Sequence, residues 1–592
     1  MYRQIIRFLL ISIALSWVNA CTWSSVNYSN LLLYFVLGNQ VPVTGITLDK
    51  TTVTISAGSV EQLAAAITPA NATFRLVTWS TSDPATARVG FTGRVTAVAP
   101  GTATITATTF SGGFTATCLV TVTDYGVAQW ARTVVAASNV SMFYNVAAGP
   151  DGSVYGAGLL LGATTFDFGN GATATPDFGS RNCILVKYDN SGLAQWARTV
   201  TGGGDDSTFS GVAVASDGSV YAAGVIYGAG TYDFGGGVTA TGSAGVDNAV
   251  LVKYDSSGTA RWARTVTSAN TSSYTGVAAA PDGSVFTAGT ITGTDTCDYG
   301  NGVTAAGIFS GGQNAVLVKY NSAGVPQWAR AAIAGGNESV FNSVSAAPDS
   351  SVSVAGSICE NGAYNFGNGV TATGFFTAVA PAVGQNSVVV KYSRTGLAQW
   401  ARSVIAGSDN SFYMGISTAT DGSVYASGIM DGTGTFDFEN GQTAMGTYTG
   451  DNAVLVKYNS AGATQWASTV IAGANISGFI RVSAASDGFI YAAGRIYGTN
   501  TYDFGNTVTA TGTYGGGMNP LLVKYDSTGV ARWACTTAAS SAETFFNGVS
   551  AAPDGSVFTG GALTGSTVYD FGNGATAAGP FAGQNTLMVQ YK

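Results

Sequence analysis

Gln313-Asn-Ala-Val-Leu-Val-Lys-Tyr-Asn-Ser-Ala-Gly-Val-Pro-Gln-Trp-Ala-Arg330 decides the reading of this chain. It holds an apolar run, a short Asn/Ser/Gly turn and a second run that ends in Trp-Ala-Arg. The same Trp recurs at Trp130, Trp196, Trp262, Trp328, Trp400, Trp466 and Trp533, at spacings of 66, 66, 66, 72, 66 and 67 residues. A period this regular is read before any local motif, because stacked copies of one unit bury a core that a single unit cannot.

Each period carries three further marks. Two short runs flank an Asp-Gly turn, as in Gly276-Val-Ala-Ala-Ala-Pro-Asp-Gly-Ser-Val-Phe-Thr-Ala-Gly289, and read as a β-hairpin because Gly accepts the positive φ of such turns. Tyr232-Asp-Phe-Gly235 recurs as Phe166-Asp-Phe-Gly169 and Tyr569-Asp-Phe-Gly572, and a Leu-Val-Lys-Tyr run such as Leu251 to Tyr254 completes the unit. The array is offset at its ends. Trp130 has no Val-Lys-Tyr run before it, and the last unit stops at Val589-Gln-Tyr-Lys592 with no Trp strand after it. A closed ring uses both halves, since the strand around Trp130 becomes the fourth strand of the seventh unit and removes a free edge. The expected fold is all-β, with a seven-bladed β-propeller over 127–592 closed by its N-terminal strand.

At Gly211-Val-Ala-Val-Ala-Ser-Asp-Gly-Ser-Val-Tyr-Ala-Ala-Gly224, Ala249-Val-Leu-Val-Lys-Tyr-Asp-Ser-Ser-Gly258 and the Trp strand that follows, the chain resembles the bacterial β-propeller repeat proteins labelled SBBP. The resemblance covers about residues 127 to 592 and implies a fold. It says little of function, because propellers host many unrelated activities. There is no Trp-Asp dipeptide of the WD40 kind and no Ser-x-Asp-x-Gly-x-Thr-Trp box of the sialidase kind.

The 592 residues carry 24 basic and 32 acidic side chains, net −8. An acidic chain without a basic cluster argues against a nucleic-acid partner. No His is present, which removes His metal sites, Ser-His-Asp triads and imidazole catalysis together. Residues 1–20 place Arg3 and Arg7 before an apolar stretch and a small residue, the pattern of a secretory signal. Val18-Asn-Ala-Cys21 resembles a lipoprotein processing site and implies a lipidated Cys21, although Asn19 departs from the small residue usual there. Ordinary cleavage after Ala20 is the alternative. Residues 21–40 then read as lipid anchor and tether. Leu31 to Leu37 is too short to cross a bilayer as a helix, which takes about 20 apolar residues.

Residues 41–123 read as a small all-β domain, with strands at Thr47 to Ile55, Gln62 to Ile67, Leu76 to Thr81 and Gly101 to Thr108. Val43-Thr-Gly-Ile-Thr-Leu-Asp-Lys-Thr-Thr-Val-Thr-Ile-Ser-Ala-Gly58, Val77-Thr-Trp-Ser-Thr-Ser-Asp83 and Gly93-Arg-Val-Thr-Ala-Val-Ala-Pro-Gly-Thr-Ala-Thr-Ile-Thr-Ala107 are similar to the bacterial Ig-like group 2 family. The resemblance implies an Ig-like β-sandwich, commonly a stalk or adhesive module of surface proteins. Trp79, in an alternating strand, is expected in its core.

Within the repeat, the Asp-Gly and Asn-Ser-Ala-Gly turns are short and nearly constant. The connections after the Trp strand and through Tyr-Asp-Phe-Gly are long and variable, and in an up-and-down blade they open on one face, where a ligand would bind. The one large insertion, Phe375 to Val383, falls on that face.

Candidate chemistry is weighed against repetition. Asp167, Asp233, Asp298, Asp437, Asp503 and Asp570, with Asn365 in the fourth unit, occupy one position. A ring of carboxylates suits Ca²⁺, but spaced Asp-x-Asp calcium loops are absent. The favoured reading is that each accepts hydrogen bonds from its own turn or pairs with the repeated Lys187, Lys253, Lys319, Lys391, Lys457 and Lys524. The seven Trp are expected as core plates between blades, and Asp151, Asp217, Asp282, Asp349, Asp421, Asp487 and Asp554 as turn residues. An active site must break the repeat. The one-off acids include Asp205, Asp206, Glu338, Glu360, Asp431, Glu439 and Glu543, and none sits in a recognisable hydrolase motif. Cys118, Cys183, Cys297, Cys359 and Cys535 occupy unrelated positions and read mostly as buried free thiols.

Together these readings describe an exported lipoprotein of the bacterial outer membrane, at the cell surface. A tether, an Ig-like spacer and a propeller would bind a glycan or protein ligand through the loop face, without catalysis, cofactor or metal. A purely structural envelope protein and a propeller glycoside hydrolase or lyase are the alternatives.

Overall fold

The computed structural model describes residues 40–56, 60–98, 101–123, 126–243, 245–378 and 383–592. Residues 1–20 and Cys21, on which the export and lipidation readings rest, lie outside the described residues. The chain divides into two compact units, Met1–Asp124 and Tyr125–Lys592. No helix occurs among the described residues, and the chain is all-β.

In the first unit, Thr52–Ser56, Thr115–Thr123, Gly101–Thr109 and Val77–Thr81 form one sheet in that order, with the first pair parallel. Val60–Gln62, Arg94–Ala97 and Ala87–Val89 form a second. The two sheets share a core in which Ile105, Cys118 and Val120 of one meet Ala87 and Val95 of the other, with Leu63 beside them. The expected strand Thr47 to Ile55 is in fact two strands. Gly45–Leu48 pairs with Ala65–Thr68, and the chain then leaves for Thr115–Thr123. Asp49 makes the break, donating its amide to Ala64 O at 3.0 Å and accepting the Ala64 amide on its carboxylate at 2.8 Å. Trp79 is half-buried and packs against the core, as its strand position predicts.

The second unit holds seven four-stranded antiparallel sheets among the described residues. The second sheet is typical: Ser207–Val214, Val220–Tyr227, Asp247–Tyr254 and Ala260–Thr265 follow one another as a simple meander. Its second and third strands are buried almost throughout (VYAAGVIY and DNAVLVKY), because they are covered on both faces by neighbouring sheets. Every first strand carries a one-residue bulge, at Ser210 in this sheet. The connection through Tyr-Asp-Phe-Gly is more ordered than a loop. It forms a small ribbon, Thr231–Asp233 with Thr239–Thr241, and the other sheets repeat it.

The seventh sheet takes its fourth strand from the start of the unit. Ala128–Thr133 pairs antiparallel with Gln584–Tyr591, and Val127 and Lys592 exchange both backbone hydrogen bonds. Apolar clusters join each sheet to the next, and one joins the seventh to the first, with Phe558 and Met588 packed against Phe143 and Val146. Polar contacts follow the same path: Ser141 Oγ accepts the Thr586 amide at 3.0 Å, and Ser550 Oγ accepts the Ala148 amide at 3.0 Å.

Candidate functional site

The two ends of each sheet are built differently. At the short-turn end, each Trp reaches across to the next sheet. Trp196 Nε1 donates to Ser256 O at 3.2 Å, in the turn between the third and fourth strands of the second sheet. Gly258 of that turn lies so close that an added Cβ would stand 2.7 Å from the indole, and its φ of +79° disfavours any other residue. Arg198, stacked on the same indole, donates Nε to Gly258 O at 2.7 Å. The clasp recurs from Trp130 and Arg132 on the seventh sheet to Asn190 and Gly192 on the first. Trp130, Trp196, Trp400 and Trp533 are buried and Trp262, Trp328 and Trp466 partly so, and an Arg joins the Trp in five of the seven sheets.

The repeated Lys serve the same end. Lys187 pairs in register with Trp196 and sends Nζ to Ser256 O at 3.4 Å; Lys253, Lys319, Lys391 and Lys457 make the equivalent bond. Lys187 also contacts the turn carboxylate of Asp151 at 3.2 Å, and Lys524 lies over the Phe489 ring. Pairing of these Lys with the Asp of Tyr-Asp-Phe-Gly is thus corrected, because those Asp oxygens are spent locally. Asp167 Oδ1 accepts the Gly169 amide at 2.7 Å, and Asp233, Asp298, Asn365, Asp437, Asp503 and Asp570 do likewise. The Asp of the Asp-Gly turns cap their own turns, as Asp421 does with the Ser423 amide at 2.8 Å.

At the connection end, a residue that sequence reading passed over does the fastening. Asn182, Asn248, Asn314, Asn386, Asn452, Asn519 and Asn585 begin the third strands and are all at most 1% exposed. Asn452 shows their role. Its Oδ1 accepts the amides of Thr447 and Tyr448 at 2.8 and 2.9 Å, while its Nδ2 donates to Gly432 O, Tyr448 O and Gly450 O. Asn386 holds the base of the insertion through the amides of Phe375 and Phe376. Phe375 and Val383 at the edges of that insertion are exposed, and 379–382 lie outside the described residues.

The one-off acids do not converge. Asp206, Glu338 and Glu543 accept the amides of Arg181, Gln313 and Met518, each opening the third strand of the preceding sheet, and Asn410 does the same for Gln385. Burial would raise the Asp206 carboxyl, but the Arg181 amide and guanidinium hold it below its usual value. Asp205 accepts the Asp206 amide, and Glu360 accepts the Gly384 amide just after the insertion. Glu439 lies 3.3 Å from Arg402 Nε, with burial raising its pKa. Asp431 is different, since its cross-strand partner is Asp451. Burial chiefly pushes it up to about 6, the Asn410 amide opposes this, and the Asp451 and Asp409 charges add to it.

No group of three or more His, Cys, Asp or Glu arranged for a metal occurs among the described residues. Cys118, Cys183, Cys297 and Cys359 are buried and Cys535 partly so, all as free thiols. A shallow cleft of about 360 Å³ lies between the third and fourth sheets, lined by Thr304, Arg330, Ile333, Asn368 and Leu397.

Comparison with known proteins bears on the first unit. An Ig-like virion protein of Serratia phage KSP90 is 49% identical over 83 residues, 14% of this chain and 32% of that protein. An alpha-L-arabinofuranosidase of Bifidobacterium longum subsp. longum is 43% identical over 82 residues, 14% of this chain and 8% of that enzyme. The matches thus span a third or less of these relatives' length. Among solved structures, a quinonprotein alcohol dehydrogenase-like protein from Bacteroides thetaiotaomicron VPI-5482 aligns over 82% of this chain and 93% of its own, at 10% identity and a TM-score of 0.28. The family match covers residues 42–120, which form a bacterial Ig-like domain of group 2.

Proposed function

We propose that the chain is an exported, surface-exposed lipoprotein whose residues 127–592 form a seven-bladed β-propeller acting as a non-catalytic binding or scaffold platform. The observation that carries this reading is the division of labour within each sheet. One end is clasped to its neighbour by Trp, joined by Arg in five of the seven sheets, and the other presents connections of varied sequence from buried Asn anchors. A rigid frame with variable loops on one side suits recognition of a glycan or protein. Ring closure is supported by the pairing of Ala128–Thr133 with Gln584–Tyr591 and by the clasp from Trp130 to the first sheet. The Ig-like domain would act as spacer, and a diacylated Cys21 as anchor to the outer membrane.

Against catalysis, the off-repeat acids Asp206, Glu338, Glu360 and Glu543 are occupied with backbone amides of their own or neighbouring sheets. The test is binding of fragments 127–592 and 41–123, separately, to a panel of glycans and extracellular-matrix proteins. Saturable binding by 127–592, weakened when residues 375–383 are shortened, is the expected result. No binding by either fragment favours a purely structural envelope role, and binding by 41–123 alone moves the working part to the Ig-like domain. Turnover of a glycan that is lost in Glu439→Gln would replace the reading with a hydrolase or lyase. Labelled palmitate should enter the full chain and be absent from Cys21→Ala; label that persists in the variant removes the anchor.

A further inference from the structure

The sheets of the second unit are copies, so a residue that departs at one junction shows what the same place can hold at another. The last residue of the Tyr-Asp-Phe-Gly motif is glycine in six of the seven repeats, with φ between +88° and +97°. In the fifth repeat it is Glu439, which keeps a left-handed φ of +71° that costs a glutamate more than a glycine. Its carboxylate stands 3.3 Å from Nε of Arg402, the arginine that follows the Trp of the fourth sheet. A strained backbone kept in one copy of a repeat points to work for that side chain. The work here is to lay a carboxylate against the arginine of the preceding sheet.

The cleft between the third and fourth sheets is the same place one junction earlier, without the carboxylate. Arg330 lines it where Arg402 stands, and Gly367 lines it where Glu439 stands. A Cβ on Gly367 would meet no atom within 4 Å, so that side of the cleft is open. Arg330 donates Nε to Gly396 O at 2.7 Å and Nη1 to Ala329 O at 2.8 Å. Its Nη2 has no acceptor among the described residues, whereas Arg132 and Arg264 turn theirs to carbonyls of the next sheet at 3.2 Å. No carboxylate pairs with Arg330 among the described residues. The rim is apolar, with Ile333 63% and Leu397 55% exposed. The volume of about 360 Å³ falls at the lower end of the range for small-molecule sites. Arg132, Val135, Gly169 and Leu193 repeat the set where the seventh sheet meets the first, but a Cβ on Gly169 would stand 3.7 Å from Val135 Cγ1, and Arg132 Nη2 is already bonded.

We propose that this cleft binds a small aliphatic carboxylate, with the charged group against Arg330 and the apolar tail between Ile333 and Leu397. Glu439 displays the arrangement from within the chain: a carboxylate on a short aliphatic stem, laid against the equivalent arginine. A guanidinium stays charged at any physiological pH, and its bonds to a carboxylate are of the stronger, charge-assisted kind. Covering Ile333 and Leu397 adds apolar burial. The site belongs to the clasped end of the sheets, so it stands whether or not the loop face binds anything.

The test uses the full chain, with hexanoate as probe, acetate and hexanol as controls and sodium chloride matched for ionic strength. The wild type should bind hexanoate saturably at one site by calorimetry, and acetate and hexanol at least tenfold more weakly. Arg330→Ser installs the residue that the fifth sheet carries there, Ser468, and should weaken hexanoate binding at least tenfold. Gly367→Glu copies Glu439 and should block the cleft with a tethered carboxylate. Glu439→Gly uncovers Arg402 and should add a second hexanoate site. Absence of saturable hexanoate binding by the wild type overturns the proposal whatever the variants do. So does equal affinity in wild type and either Arg330→Ser or Gly367→Glu, and so does acetate or hexanol binding as tightly as hexanoate. A single site in Glu439→Gly would break the equivalence of the two junctions and overturn it as well.

Discussion

The short-turn end and the connection end of each sheet solve opposite problems with the same strands. At the first, Trp196, Arg198 and Lys187 all aim at the backbone of one turn in the next sheet, so that three side chains read the shape of the neighbour. At the second, Asn452 spends its hydrogen bonds on its own module and nothing on the neighbour. The difference teaches where sequence is free to vary. A residue between sheets must suit two surfaces, whereas an anchor bonded only to main-chain atoms leaves the side chains of its connection unconstrained.

The sharpest way to break this contrast is to remove one clasp. Trp196→Ala deletes a ring buried between Tyr155 and Gly258 and leaves Ser256 O with only the longer bond from Lys187. It should cost about 3–5 kcal/mol in denaturant unfolding, the range for large aromatic truncations. Trp130→Ala should cost as much, because it makes the same clasp between the seventh sheet and the first. A loss at Trp130 much smaller than at Trp196 would mean that the seventh-to-first junction is weak and would undo the closed ring.

The matching change at the other end is smaller and more local. Asn452→Ala strands the amides of Thr447 and Tyr448 and three carbonyls, but that connection lies near solvent and water can enter. A cost of about 2 kcal/mol is expected, within the usual penalty for lost buried polar partners. Hydrogen exchange should speed up at 447 and 448 while the turn around Ser460 to Gly462 stays protected. Loss of protection at both ends would show that the two ends are one cooperative unit.

Much of this was legible in the sequence because its signals are local. Alternating apolar runs, Asp-Gly turns and the offset of Trp130 against Tyr591 predict four-stranded units and the pairing of the ends. What escaped has physical reasons. The seven Asn were invisible as anchors because a buried Asn looks like any turn Asn until its carbonyl partners are placed. Lys187 was read against the nearest repeated carboxylate, yet its register with Trp196 delivers it to a carbonyl of the next sheet. Asp206, Glu338 and Glu543 seemed unique because residue type was compared, while their task, accepting the first amide of a third strand, repeats even through Asn410.

Asp431 gives the smallest and most conditional effect, and it probes the connection end at the one place among the described residues where two acids face each other across strands. Its carboxyl, raised to about 6 mainly by burial, keeps a proton in the folded state at pH values where the unfolded chain, near the ordinary 3.8, has lost it. Stability therefore falls as pH rises from about 4 to about 6, and above that the folded state carries the full cost of the ionised group. Asp431→Asn should relieve that cost. Because the side chain is partly exposed, screening reduces the expected gain to about 1 kcal/mol at pH 7.5, with almost none at pH 4. The urea midpoint at the two pH values measures it. A gain of the same size at both would mean that Asp431 acts through packing rather than charge. The repulsion between Asp431 and Asp451 would then have been absorbed by solvent, and the connection end would tolerate even paired acids in its frame without cost.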